Sequence, residues 1–199
     1  HKELKSILQS SSKNDEGAWQ TSLSDEEILK MLTTFPYLKI GVDIAASSFF
    51  RSKNYQYKNK ILDKETQIHY INSLIEDYNL FYVEDPLQEE DFSGFGKIKH
   101  SDNHLVVADD LTATHLSRLK KAIKNKSINA IIIKPNQNGS LLELAEIFQY
   151  CKQHKIKTVL SHRSGETMDN ALADYAFGFQ ADFIKCGIAT KWRDVKLGR

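Results

Sequence analysis

Six residues able to act as acids, bases or ligands stand at the ends of short apolar runs: Asp43, Glu84, Asp109, Lys134, His162 and Lys185. A lone aspartate at such a place is more often a cap or a turn former. Six in succession, spaced at about the length of one strand and one helix, are harder to explain that way. Asp43, Glu84 and Asp109 offer only hard carboxylate oxygens, a composition that suits magnesium and not zinc. Crowded together without a cation, they would repel strongly. Lys134, His162, Arg163, Ser164 and Lys185 form a second group, suited to an anionic substrate. Arg163 can grip a phosphate or carboxylate through its planar fork, and Ser164 adds a hydroxyl. Lys134, expected close to Lys185 and to a divalent cation, should have its pKa lowered, as a lysine general base requires. Proton abstraction beside a carboxylate, with a metal absorbing the developing charge, fits both groups.

These residues need elements to hold them. The runs 38–43, 80–84, 105–109, 130–134, 158–162 and 182–187 are nearly continuous in apolar character, as expected of parallel strands covered on both faces. Between them lie amphipathic patterns at 64–78 and 114–126, and a stripe of Leu141, Leu142, Leu144, Ile147 and Phe148. Ser24 with Glu27, and Ser140 with Glu143, have the spacing of capping boxes. Strands alternating with helices predict an α/β barrel, in which the carboxyl ends of all strands open onto one face.

With 41% hydrophobic residues the 199-residue chain has material for one globular core. A net charge of +1 gives no basic stripe for nucleic acid, no window is apolar enough to span a membrane, and the first residues lack the apolar centre of a signal peptide. A soluble, intracellular protein is expected. Cys151 and Cys186 read as reduced packing residues, and HKELKSIL as the last turns of a helix begun upstream.

The strings GVDIAAS (41–47), VEDP (83–86), ADDLTAT (108–114), IKPNQNGS (133–140), SHRSGET (161–167) and IKCG (184–187) resemble the successive strand-end motifs of enolase, and NDEGAW (14–19) resembles its catalytic acid loop. The resemblance implies a TIM-type (β/α) barrel that is incomplete. The last six strands would be present and the first two absent with the amino-terminal domain, so that residues 1–199 form a single partial barrel domain. It further implies a cytoplasmic lyase of glycolysis, phosphopyruvate hydratase, which interconverts 2-phosphoglycerate with phosphoenolpyruvate and water using Mg2+. By motif, Asp43, Glu84 and Asp109 would bind the metal, Lys134 would take the C2 proton, and Glu16 would assist departure of the C3 hydroxide. Arg163 and Ser164 would hold the phosphate, Lys185 would contact the carboxylate, and His162 would lie near the substrate. Asp85, Asp110 and Glu166 fit orienting roles as well as ligation, and Gln137 would support the site. The implied partners are the small-molecule substrate and, for the full-length protein, a second copy in a homodimer, with no nucleic acid and no membrane.

Some positions depart from the family pattern. Ala18 stands where the acid loop has a second glycine, and Ala does not freely adopt a positive φ. Ser48, Pro135, Asn138 and the segment 188–193 differ at the rim. These departures motivate an alternative, an enolase-derived binding or scaffolding protein without catalysis; a superfamily member acting on another carboxylate is a weaker one. Six strands cannot close a barrel of eight, so open edges and little or no activity are expected of this segment alone.

Overall fold

The computed structural model describes residues 1–8, 12–188 and 190–199. Two helices, α1 (Lys2–Leu8) and α2 (Asp25–Leu32), precede the first strand, β1 (Gly41–Asp43). A small antiparallel sheet of β2 (Phe50–Arg51), β3 (Asn54–Gln56) and β4 (Ile61–Leu62) leads into α3 (Lys64–Tyr78). There follow β5 (Tyr82–Glu84), α4 (Phe92–Phe95), β6 (Leu105–Ala108), α5 (Leu116–Lys124), β7 (Ala130–Ile133), α6 (Pro135–Asn138) and α7 (Leu141–Gln153). The chain ends with β8 (Lys157–Ser161), α8 (Ala171–Gly178), β9 (Phe183–Lys185) and α9 (Lys191–Leu197).

All six expected strands form one parallel sheet in the order β1-β5-β6-β7-β8-β9. Alternation along each strand divides the core into two layers. Val106, Ala108, Ile131, Ile133 and Leu160 point outward onto the helices, where they meet Ile71, Ile75, Leu119, Leu144 and Ile147. Leu105, Val107, Ala130, Ile132 and Val159 form a second, smaller cluster inside the curl. Each fully buried aliphatic side chain contributes about 1.5–3 kcal/mol relative to an exposed one. The cysteines are free and buried in this packing, and burial pushes the Cys151 thiol up to about 12.

Helix α3 has the boundaries that its pattern predicts, whereas α5 is shorter than 114–126 at both ends, where Thr114 and Lys126 take left-handed φ of 57° and 53°. The box at Ser24 is complete: its hydroxyl accepts from the Glu27 N–H, and the Glu27 carboxylate accepts from the Ser24 N–H at 2.8 Å. At Ser140 the expected box is half made. The hydroxyl accepts from the Glu143 N–H at 3.3 Å, but the Ser140 N–H donates to Asn138 Oδ1 at 3.2 Å.

β1 and β9 are the ends of the sheet, each paired on one side among the described residues. The curl nevertheless brings their side chains together. Lys185 Nζ of β9 reaches Asp43 Oδ2 of β1 at 3.3 Å, and the ring of Phe183 lies 6.0 Å from that of Phe81, which directly precedes β5. A cavity of about 380 Å³ between the two edges is lined by Gly41, Tyr82, Glu84, Val159, Phe183 and Ile184 among others. No helix among the described residues is long and apolar enough to cross a membrane.

Candidate functional site

Asp43, Glu84 and Lys185 are the last residues of β1, β5 and β9, and Asp109, Lys134 and His162 directly follow β6, β7 and β8. All six therefore stand at the carboxyl ends of adjacent parallel strands. Glu84 is buried, and Lys185 Nζ donates to its two oxygens at 2.8 and 2.9 Å. Burial pushes the Glu84 carboxyl up to about 7; the Lys185 ammonium pulls it down and Asp43 adds to the rise. For Lys185 burial works against the ammonium, but Glu84 and Asp43 outweigh it and raise the pKa. Lys134 pairs with Asp109 Oδ2, so its ammonium faces a carboxylate. Asp109 Oδ1 is a buried oxygen without a hydrogen-bond partner.

Among the described residues the acids whose oxygens all come within 4.8 Å of one another are Asp85, Asp109 and Asp110, and not the expected trio of Asp43, Glu84 and Asp109. Their closeness has a backbone cause. Asp85 is buried, with a left-handed φ of 41°, and its two carboxylate oxygens accept the N–H groups of Asp109 at 3.0 Å and Asp110 at 2.8 Å. Burial pushes its pKa up to about 8 against the pull of these N–H groups. Asp85 thus ties the end of β5 to the end of β6, and its oxygens are already committed as acceptors.

Arg163 and Ser164 lie exposed in the loop after β8. Arg163 Nη1 donates to Asn136 Oδ1 at 3.5 Å, and the Ser164 hydroxyl donates to Asp15 of the acid loop. That loop folds over the same end of the sheet, with Glu16 Oε1 3.6 Å from His162 Nε2 and the Glu16 carbonyl accepting from the Ile188 N–H at 3.4 Å. His162 is buried and neither ring nitrogen has a hydrogen-bond partner; burial lowers its pKa, Glu16 raises it and Lys185 lowers it further. The tight turn is made at Gly17, with φ 82°, and Ala18 is not among the residues of positive φ, so the missing second glycine strains nothing.

Several supporting residues carry no signal of their own in the sequence. Thr114 Oγ1 accepts the Lys134 N–H at 2.9 Å and donates to Gln137 Oε1 at 2.8 Å, which gives Gln137 its expected supporting place. Lys196, buried on α9, donates to the carbonyls of Thr167 at 2.9 Å and Asp169 at 2.7 Å and lies 3.8 Å from Glu166, binding the Arg163 loop to the last helix. Tyr82 donates to Glu84 Oε2 at 2.5 Å. Only the strand period, which puts Tyr82 and Glu84 on one face, could have flagged it.

Acids, two lysines, a buried histidine and an exposed arginine thus stand at or just beyond the carboxyl ends of parallel strands, and comparisons with known proteins identify the family of this fold. Residues 12–196 match the family described as enolase, C-terminal TIM barrel domain. The chain is 40% identical to an enolase of Methanocorpusculum labreanum and 38% identical to one of Picrophilus torridus, in each case over 99% of this chain and 54% of the relative. An enolase of Archaeoglobus fulgidus is 37% identical over 99% of this chain and 53% of its own length. The chain spans about half the length of the curated relatives it matches. Its six parallel strands and helices make an incomplete α/β barrel of the TIM type, and the chain belongs to the enolase family.

Proposed function

We propose that this chain carries the greater part of a magnesium-dependent lyase site that interconverts 2-phosphoglycerate with phosphoenolpyruvate and water. The observation that carries this reading is the gathering of Asp43, Glu84, Asp109, Lys134, His162 and Lys185 at one end of the sheet, with Glu16 folded beside them. The donor set fits magnesium: all three acids offer hard oxygens, and Asp109 Oδ1 is buried without a hydrogen bond. Magnesium held by Asp43, Glu84 and Asp109 would supply positive charge against the substrate carboxylate as negative charge builds there.

The other roles belong to side chains. Lys134 takes the C2 proton, and the electron pair left behind spreads over the carboxylate as an enediolate. Lys185 faces that carboxylate and stabilises its charge. The pair then forms the C2–C3 double bond as the C3 hydroxide leaves, taking a proton on the Glu16 side to depart as water. Arg163 and Ser164 hold the phosphate, with Ser164 exchanging Asp15 for a phosphate oxygen. His162 packs beside Glu16. In this reading residues 1–199 are one partial barrel domain of a cytoplasmic enzyme that works as a homodimer, and the chain alone turns over slowly or not at all.

The test is a magnesium titration followed by ultraviolet absorbance of phosphoenolpyruvate, on the 199-residue chain and on the whole protein. Turnover by the whole protein that disappears in Lys134→Ala and Asp109→Asn supports the reading. A second reading, an enolase-derived binding protein, is motivated by the departures at Ser48, Pro135, Asn138 and residues 188–193, and magnesium binding without turnover in the whole protein would leave only that one. A chain that dehydrates 2-phosphoglycerate as fast as the whole protein would refute the claim that it is incomplete.

A further inference from the structure

We propose that Tyr82 is a positioning residue for the Glu84 carboxylate and sets how tightly the acid ring holds a divalent cation. The inference rests on the reading of Asp43, Glu84 and Asp109 as metal ligands. Tyr82 and Glu84 are two residues apart on β5, so both project into the curl of the sheet. The Tyr82 hydroxyl donates to Glu84 Oε2 at 2.5 Å, and its ring packs with the interior cluster of Leu105, Val107, Ala130, Ile132 and Val159. A phenol is protonated at neutral pH and can act as donor throughout.

Room for the ring is made by the neighbouring strand. Gly41 is the register partner of Tyr82, and a Cβ there would lie 3.1 Å from Tyr82 Cβ and 3.3 Å from Cδ1. A side chain at 41 would press on the ring that orients Glu84.

Glu84 has a second donor, Lys185, but the two differ in kind. The lysine ammonium rides on a flexible four-carbon stem and is shared with Asp43. The tyrosine is a rigid, partly buried ring packed against the interior cluster. When Lys185 turns to a substrate carboxylate, Tyr82 is the contact that keeps the Glu84 oxygens in place, and groups that orient metal-binding carboxylates are commonly worth 10–100-fold in affinity.

The experiment is calorimetric titration of the 199-residue chain with Mn2+ and Mg2+, beside thermal unfolding of the metal-free protein. Tyr82→Phe removes the hydroxyl alone, and about 10–100-fold weaker metal binding is expected, by the magnitude typical of such partners. Gly41→Ala, which keeps the hydroxyl but crowds the ring, should weaken binding in the same direction and covers the case in which Tyr82→Phe does not fold. Wild-type affinity in the folded Tyr82→Phe chain, or a fall in its unfolding temperature with metal binding unchanged, would overturn the role of Tyr82 while leaving the acid ring intact. Absence of metal binding by the unaltered chain would instead remove the acid ring itself, and the role of Tyr82 with it.

Discussion

Asp85 shows how one buried side chain can fix two strand ends. Its carboxylate accepts the N–H groups of Asp109, which is buried, and of Asp110, which is exposed, so the donor that water cannot reach is that of Asp109. Asp85→Ala should therefore cost about 1–3 kcal/mol in urea unfolding, the usual penalty for orphaned buried donors. His162 answers to pH. Burial holds its pKa below the ordinary value of 6.5, so the unfolded chain takes up the proton more readily than the folded one. Stability from neutral His162 is thus intact above pH 6.5 and lost as the pH falls below it toward the lowered value. Replacement by Gln should flatten the acid limb of a plot of unfolding free energy against pH, by up to one proton. The chemistry-bearing residues were legible because each follows an apolar β-branched run. Asp85 was less so, because an aspartate next to Glu84 reads equally as ligand or as orienter until its acceptor bonds are seen.

The buried strands and the helix at 64–78 can be read directly from hydrophobic pattern, since both are decided by which residues leave water. The antiparallel sheet of β2, β3 and β4 cannot. Its first turn places Ser52 and Lys53 at φ 52° and 66°, a conformation normally announced by Asn-Gly or Asp-Gly, and here no such pair appears. The half-made box at Ser140 fails for a local reason, because Asn138 reaches the N–H that Glu143 would have accepted. Helix α9 was equally silent, although its Lys196 is almost wholly buried and holds two carbonyls of the loop that carries Arg163. Lys196→Met keeps most of the side-chain volume and removes both bonds. It should lower stability by about 1–3 kcal/mol and raise hydrogen exchange across 163–170.

At the scale of the molecule the governing fact is a sheet with two ends. Among the described residues β1 and β9 are each paired on one side only, and Phe183 stands exposed on β9. Such edges recruit other strands. Sedimentation velocity across a concentration series should show the 199-residue chain associating, and substituting Phe183 by Lys should reduce it; a sharp monomer at every concentration would show that the curl shields its own edges. The acid ring has a different self-sufficiency. Lys185 lies against Asp43 and Glu84, and Lys134 against Asp109. The chain thus brings its own counterions to each of these acids, and its folding need not wait on a divalent ion. Exhaustive chelation of the purified chain should leave it folded, with a cooperative thermal transition still seen, the reverse of small metal-built domains that come apart when stripped.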